Sequence, residues 1–412
     1  MELHHVVVVG ASLAGLRSCE TLRQEGFEGR ITLVGAENEM PYDRPPLSKK
    51  VLAGEWEPDR IRLRKADDIE ALQLDLRLGV RATRLRTDDR VVELGEHGEV
   101  SYDGLVIATG AAPRRLPGHA PLDGLVELRT LADSLALRDR IADGAARVVI
   151  IGAGFIGLEA AATARQKGCT VTVLEGAPAP MIRGLGADMG IAVAAVHHRH
   201  GVDLRCGVQV AGVESDRRHR VTGVRLADGS LVEADVVVVG IGVSPCTDWL
   251  DDSGLALRDG IVCDPTLFTG APCVYAAGDC ARWPNLVFEG QHDVEMRVEH
   301  WTNAAEQGAM AARNLLAVTR GEQPQPYAAV PFFWSDQFDS RIQFVGRAHG
   351  GDDVQVFAGS TDGNFAALYF WEGRLRGALG VNMPRLVMPF RQLLTERAHY
   401  DEAIAKANEL TA

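Results

Sequence analysis

The sequence predicts an α/β chain: two βαβ nucleotide-binding units, each followed by a β-meander, and a C-terminal α+β domain. Three observations predict it. A glycine-rich strand–helix–strand pattern runs from Val148 to Glu175. The same pattern runs from Val6 to Glu37, displaced by 142 residues (Gly10 against Gly152). From residue 327 onward the nucleotide pattern is absent, and short strands alternate with Gly-rich turns.

The 412 residues exceed one ordinary domain, and 46% hydrophobic content describes a globular chain with ample core. No apolar run reaches the roughly 18 residues of a membrane helix. His4-His5 lead straight into a Val-rich strand without a secretory signal pattern, so a cytoplasmic protein is expected. A formal charge of −13 argues against nucleic acid and anionic membranes as main partners, since both demand a basic face. The seven cysteines (Cys19, Cys169, Cys206, Cys246, Cys263, Cys273 and Cys280) are scattered and form no C-x-x-C. No metal site or redox disulfide is expected from them, and they read as small buried hydrophobes.

Val148 to Ile151 is long enough for one buried strand, and Gly152, Gly154 and Gly157 follow as G-x-G-x-x-G. The first glycine permits the tight turn. The second lets backbone approach a pyrophosphate, and the third lets helix and strand pack closely. Leu158 to Lys167 is Ala-rich without Gly or Pro and reads as helix; Val171 to Leu174 is the next strand, closed by Glu175. Phosphates then sit at the helix N-terminus, where N–H groups and the dipole favour anions.

In the first copy, Val6 to Val9 precede Gly10-Ala-Ser12-Leu13-Ala14-Gly15, a helix runs to about Glu25, and Ile31 to Val34 lead to Glu37. Ser12 stands where the second glycine belongs, so its side chain must turn away or use its hydroxyl on a phosphate. The repeat continues. Arg90 to Gly110 and Arg220 to Gly242 each read as short strands and a closing apolar strand, with an Asp228-Gly229 hairpin signal in the second. Two such units suggest two nucleotides face to face, and chemistry that needs both is usually hydride transfer between a nicotinamide and a flavin.

With these motifs in this order, the chain resembles the two-dinucleotide-domain flavoprotein reductases over about residues 4 to 400. More narrowly it resembles the NADH-dependent ferredoxin reductases that serve cytochrome P450 and Rieske-type oxygenases. The narrower likeness rests on Pro41-Tyr-Asp-Arg44-Pro-Pro-Leu-Ser48-Lys49. Disulfide reductases of the same superfamily carry redox cysteines in or near that region, and this stretch has none. Read alone, Arg44-Pro-Pro is extended, Ser48 is a candidate N-cap, and Arg44 and Lys49 are surface charges. The resemblance implies instead that Arg44 lies along the FAD pyrophosphate and Lys49 beside flavin N5. Glu159, read alone, is an acid in the first turn of its helix that complements the dipole. The resemblance implies that it faces the nicotinamide and pairs with Lys49. The lysine would stabilise negative charge on reduced flavin, and the glutamate would offset it and help orient the carboxamide.

The motif and the same likeness assign Gly10, Ser12, Leu13, Ala14, Gly15, Ala82 and Arg129 to FAD; Glu37 is read as the acid on its ribose, although relatives often carry that acid one position earlier, where this chain has Ala36. Arg129, in Leu128-Arg129-Thr-Leu-x-Asp133, otherwise reads as an exposed arginine at a helix start. Gly152, Gly154, Ile156, Gly157, Glu175, Arg183 and Gly242 fall to NADH. A carboxylate at Glu175 accepts from the adenosine ribose 2′-OH and repels a 2′-phosphate, and no Arg or Lys occupies the next seven positions. NADH is therefore expected over NADPH. Arg183 reads equally as a phosphate or adenine contact and as a solvated loop arginine. His197-His-Arg-His200 lacks an acid or Cys at ligand spacing and reads as a solvated helix face, with no metal. Asp279, in Val274-Tyr-Ala-Ala-Gly278-Asp279, is a turn acid that the resemblance places on the FAD ribityl and phosphate region. Glu299-His-Trp301-Thr-Asn opens a helix to about Leu316; the resemblance aims its N-terminus at the flavin N1–C2=O edge, with Trp301 beside it.

Gly321 to Pro326 reads as a linker. Strands are expected at Arg341 to Val345, Val354 to Ala358, Ala366 to Trp371 and Leu375 to Gly380, then helix from about Val387 to Ala407. The resemblance makes this domain cover the flavin and form part of a ferredoxin docking face. Pro331-Phe-Phe-Trp334-Ser-Asp336-Gln matches its motif near the flavin, and Trp334 reads as either an electron exit or a core residue. Arg341, Arg347, Arg385, Arg391 and Arg397 could make a basic patch for an acidic ferredoxin.

The expected protein is thus an FAD-dependent NADH:ferredoxin reductase. Hydride passes from NADH to FAD, and single electrons then pass to a [2Fe–2S] ferredoxin that binds transiently and serves a monooxygenase or dioxygenase. Its expected domains are 1–113 and 245–326 for FAD, 114–244 for NADH, and 327–412 C-terminal, in a monomer or weak homodimer. Rival readings are a rubredoxin reductase or NADH oxidase on the same scaffold, a redox-sensing interaction protein of the apoptosis-inducing-factor kind, and a plain nucleotide-binding module.

Overall fold

The computed structural model describes residues 3–118, 121–290 and 294–412. It divides into two compact units. One comprises Met1–Asp43, Ile61–Ala112 and Ser244–Pro331; the other comprises Arg44–Arg60, Pro113–Val243 and Phe332–Ala412.

In the first unit, His5–Val9 forms the middle of a five-stranded parallel sheet, flanked by Arg30–Gly35 then Leu74–Leu78 on one side and by Gly104–Ile107 then Val274–Ala276 on the other. Val6, Val7 and Val8 are fully buried. A parallel strand covered on both faces has no polar side to show, which is why the run is continuous rather than alternating. Helix Leu13–Gln24 follows the glycine turn and packs along helix Trp301–Thr319. The two helices meet at small residues. A Cβ added at Gly308 would overlap the Ala14 carbonyl, and Ser18 Oγ donates to the Gly308 carbonyl at 2.9 Å.

The second unit repeats the plan. Its parallel sheet runs Asp203–Cys206, Thr170–Glu175, Arg147–Ile151, Val236–Val239, Leu125–Val126. Each unit also carries a three-stranded antiparallel meander: Arg84–Arg86, Val91–Glu93 and Glu99–Ser101 in the first, Val210–Ser215, Val221–Leu226 and Leu231–Glu233 in the second. Both meanders begin one strand earlier than the sequence pattern indicated. Arg84–Arg86 and Val210–Ser215 are partly exposed and mix charged or small residues, so they lack a clear apolar period. The Asp228-Gly229 turn forms as expected, with Gly229 at φ +88° and Asp228 Oδ1 accepting from the Ser230 N–H at 2.9 Å.

The C-terminal part is a five-stranded antiparallel sheet in the order Phe332–Gln337, Ser340–Gly346, Arg374–Val381, Phe365–Trp371, Asp353–Gly359. The strand Phe332–Gln337 was not among those expected. Its inward residues join this sheet to the nucleotide fold of the same unit: the Phe333 ring lies 4.7 Å from Phe155 and 5.5 Å from Phe344. Tyr369 Oη donates to the Leu185 carbonyl at 2.8 Å. The single helix expected over 387–407 is two helices, Phe390–Thr395 and Tyr400–Thr411. Arg397 adopts a left-handed φ of +57°, which ends the first, and the Glu402 carboxylate accepts from the His399 N–H at 2.8 Å to start the second. Among the described residues no helix is long and apolar enough to cross a membrane.

The helix crossing is a packing constraint that can be tested. Gly308→Val should cost about 1–3 kcal/mol or more and lower the thermal unfolding midpoint, because backbone must shift. Val318→Ser, on the exposed side of the same helix, should leave the midpoint nearly unchanged.

Candidate active site

The two glycine loops have one geometry. Gly10 and Gly152 lie at φ +120° and +104°, where an added Cβ would overlap the carbonyls of Ala108 and Gly240. At Gly15 and Gly157 the added Cβ would overlap the carbonyls of Gly10 and Gly152. The second position differs. Gly154 has φ −78°, and a Cβ there meets no protein atom within 4 Å. Ser12 occupies the matching place at φ −118°. The protein's own packing therefore demands the first and third glycines and tolerates a side chain at the second, which accounts for Ser12. Helices Leu13–Gln24 and Phe155–Gln166 start directly after these loops with no acidic residue in the first turn. Loop shape and positive helix ends together fit a pyrophosphate in each unit.

The first unit carries most of the residues expected at FAD, whereas Arg44, Lys49 and Arg129 belong to the second. Gly278, at φ +78°, packs against Ala14, where an added Cβ would lie 3.1 Å from the Ala14 Cβ. Its N–H donates to Gln307 Oε1 at 2.8 Å. Asp279 is thereby set beside the Gly10–Gly15 loop, and helix Trp301–Thr319 begins next to it, with Ala304 3.7 Å from the same added Cβ. Trp301 Nε1 donates to Asp43 Oδ1 at 2.7 Å. His300, the helix N-cap, is half-buried with its Nδ1 enclosed, and desolvation pushes its imidazole down to about 4 against the opposing pull of Asp279. Glu37 follows strand Arg30–Gly35, and its carboxylate accepts from Tyr42 Oη at 2.5 Å. Ala82 is buried after the third parallel strand.

In the second unit Glu175 is tied to its own glycine loop. Its Oε2 accepts from the Ala153 N–H at 2.7 Å and its Oε1 from the Ala177 N–H at 2.8 Å. A carboxylate has about four acceptor sites, so two such bonds leave room for ribose hydroxyls. Arg183 is exposed in the short helix Ile182–Leu185, its guanidinium 3.6 Å from a Cβ added at Gly242. Ile156, 44% exposed in the first turn of its helix, is one of the few large apolar side chains left open.

Lys49 and Glu159 meet in this unit. The prolines fold Pro45–Ser48 into a 3₁₀ turn. The Ser134 hydroxyl donates to the Leu47 carbonyl at 2.7 Å and the Thr163 hydroxyl to the Ser48 carbonyl at 2.8 Å, which fasten that turn to two helices. Lys49 Nζ then lies 2.9 Å from Glu159 Oε1. The Ser48 hydroxyl donates to Glu159 Oε2 and the Ser335 hydroxyl to Oε1, each at 2.5 Å. Ser48 is therefore not a helix cap. Glu159 is 5% exposed and lies beyond the first turn of a helix that starts at Phe155, so it is a buried partner of Lys49 rather than a dipole-complementing acid. Arg44 Nη1 donates to the Arg129 carbonyl at 2.8 Å, and Thr130 with Asp133 forms the capping box that starts helix Leu131–Arg140.

One position of the histidine run is a correction. His197 is fully buried, whereas His198, Arg199 and His200 are exposed. Its Nε2 bonds Gln337 Oε1 at 2.9 Å, and the Phe338 ring, at a hairpin tip, stacks on His200 at 4.0 Å. The run holds the C-terminal sheet. Burial, partly countered by the Gln337 bond, pushes the His197 imidazole down to about 4. Sequence reasoning did not find Ser335, Gln337 or the burial of His197. The available signal was the alternation of Phe333, Ser335 and Gln337 along one face of a strand.

The structure also qualifies the basic patch. Arg341 and Arg385 are exposed, whereas Arg347, Arg391 and Arg397 are half-buried. The Trp334 ring stacks on Phe332 with centroids 6.0 Å apart. Strand alternation points both away from the Ser335 face. All seven cysteines are free thiols, and among the described residues no three His, Cys, Asp or Glu converge to hold a metal ion.

Residues 4–308 match the pyridine nucleotide-disulphide oxidoreductase family, and residues 332–410 match the reductase C-terminal family. The chain belongs to the pyridine nucleotide-disulphide oxidoreductases. It is 36% identical to the 5,5′-dehydrodivanillate O-demethylase ferredoxin reductase subunit of Sphingobium sp., over 98% of each chain. It is 39% identical to rhodocoxin reductase of Rhodococcus erythropolis, over 94% of this chain and 89% of that one. Among solved structures, the covalent putidaredoxin reductase–putidaredoxin complex matches with a TM-score of 0.90 at 34% identity, over 98% of this chain and 99% of that chain.

His197 and His300, both desolvated at the imidazole, set an acid response. The unfolded chain protonates each near 6.5, the folded chain only near 4, so the unfolded state binds more protons in between. Stability should fall as pH drops from roughly 6.5 toward 4. Denaturant midpoints across that range should show a shallower slope in His197→Gln, which has nothing to protonate.

Proposed function

We propose that this protein is an FAD-containing reductase that oxidises NADH and passes the electrons to a [2Fe–2S] ferredoxin of an oxygenase system. The pair of half-buried Lys49 with buried Glu159 carries the reading. Its glutamate lies on the helix that leaves the second glycine loop, where a bound dinucleotide directs its nicotinamide end. FAD, when bound, supplies a group that takes electrons in pairs and releases them singly. The rest is done by the chain. The Gly10–Gly15 loop, Asp279 and Glu37 hold the FAD dinucleotide, with Arg44, Arg129, Ala82 and Trp301 as further contacts. The Gly152–Gly157 loop, Glu175, Arg183, Ile156 and Gly242 hold NADH. Lys49 brings a fixed positive charge, and Glu159 balances it and accepts from the nicotinamide carboxamide.

On this reading residues 1–113 and 245–326 form the FAD domain, 114–244 the NADH domain, and 327–412 a C-terminal domain that presents the ferredoxin face. Trp334 and the exposed Arg341 and Arg385 suit an acidic one-electron partner that docks briefly. The relatives are named for ferredoxin reductases and a putidaredoxin complex, which supports that partner class.

Cytochrome c reduction by NADH with purified protein tests the proposal. A [2Fe–2S] ferredoxin should raise the rate many-fold. Consumption of NADH at the same rate without ferredoxin, with oxygen as the sink, would instead favour an oxidase. In the same assay Glu175→Gln removes the charge that repels a 2′-phosphate. The NADPH-to-NADH ratio of kcat/KM should then rise by about tenfold or more, and an unchanged ratio would remove Glu175 from the specificity site.

A further inference from the structure

A single file of hydrogen bonds leads from the histidine run to Glu159. His197 Nε2 lies 2.9 Å from Gln337 Oε1, Gln337 Nε2 donates to Ser335 Oγ at 3.1 Å, and Ser335 Oγ donates to Glu159 Oε1. His197, Gln337, Ser335 and Glu159 are all buried. They come from three places: the helix Ala187–Arg199, one edge strand of the C-terminal sheet, and the helix after the glycine loop.

The polarity of the file follows from chemistry. Glu159 as a carboxylate only accepts, so Ser335 must give it the hydroxyl proton. Ser335 Oγ then accepts from the Gln337 amide. The other amide hydrogen faces Met181 Sδ at 3.8 Å, which fixes the nitrogen end of Gln337 toward Ser335 and the oxygen end toward His197. His197 must therefore carry its proton on Nε2. The reverse polarity would put the proton on Nδ1, which is buried with no hydrogen-bond partner. A buried unpaired donor costs more than an unpaired lone pair, so the forward direction is held at both ends.

We propose that Ser335, Gln337 and His197 are positioning residues that fix Glu159 Oε1 toward Lys49 and hold the carboxylate in one orientation for the nicotinamide. This rests on the nicotinamide-facing role of Glu159 proposed above. Without the file, only the adjacent residues Ser48, on Oε2, and Lys49, on Oε1, would hold Glu159, and Oε1 would lose one of its two partners. The strand that supplies Ser335 and Gln337 carries Trp334 on its opposite face. The C-terminal sheet thus contributes to the nicotinamide end of the site through Glu159, by hydrogen bonds and without touching substrate.

The test uses the FAD-loaded protein with four variants: Ser335→Ala, Ser335→Thr, Gln337→Met and Glu159→Gln. Ring nitrogen NMR of His-labelled protein reads the tautomer directly. Wild type should show the Nε2-protonated form, and an Nδ1-protonated ring would overturn the proposed polarity. Calorimetric titration with NAD⁺ and anaerobic mixing with NADH read the rest. Ser335→Ala and Gln337→Met should each weaken NAD⁺ binding or slow flavin bleaching about threefold to tenfold. Ser335→Thr should restore wild-type values. Ser335→Ala should add little in a Glu159→Gln background, because the two act on one interaction. If Glu159→Gln impairs both readouts while Ser335→Ala and Gln337→Met leave them at wild type, the positioning role is wrong and that of Glu159 stands. If Glu159→Gln itself changes neither readout, the nicotinamide-facing role fails first.

Discussion

Glu159 is a carboxylate on an Ala-rich helix, buried in a part of the core built from aliphatic and aromatic side chains. A charge in such a place persists only if its oxygens are fully engaged, since desolvation costs several kcal/mol per ion. Lys49, Ser48 and Ser335 supply that engagement, from residues 48–49 and 335 of the chain. Loss of one partner leaves an uncompensated buried charge, which typically costs about 3–5 kcal/mol. The ion pair thus constrains how the Pro-Pro turn, the nucleotide helix and the C-terminal strand of this unit fold together. An aliphatic pair of similar volume would pack there at little loss of stability.

The rest of the site follows from one motif used twice. The first and third glycines of each loop are demanded by backbone carbonyls that leave no space for a Cβ. The second is demanded by nothing in the protein, and one copy carries a serine there. The division separates what folding requires from what a ligand requires. The two loops then diverge in what closes them. Glu175 reaches back to the Ala153 and Ala177 N–H groups of its own loop region, whereas Glu37 is engaged by Tyr42. One fold serves two dinucleotides through changes in a few side chains at the ends of its strands.

The parallel sheets, both glycine loops and the strand ending at Gly278-Asp279 were legible because each is written in local pattern: a continuous apolar run, a fixed glycine spacing, an acid at a strand end. The pairing of Lys49 with Glu159 was legible only through resemblance, since the two lie 110 positions apart and alone read as a surface charge and a dipole-complementing acid. Ser335, Gln337 and His197 were not legible. A polar residue on the inner face of a strand gives the same local signal as one on an edge, and only tertiary contact tells them apart. His197 was misread for the same reason: histidines at helical spacing suggest a solvated face, and only the hairpin with Phe338 at its tip covers this one. The helix break at Arg397 was hidden because an arginine carries no turn signal, although its φ of +57° is one that L residues seldom adopt.

The most direct test of the account is a crystal structure of the FAD-loaded protein with NAD⁺ bound. The account places the nicotinamide carboxamide within hydrogen-bonding reach of Glu159, with Ser335 still donating to that carboxylate and Lys49 still paired with it. A nicotinamide bound out of reach of Glu159 would contradict it.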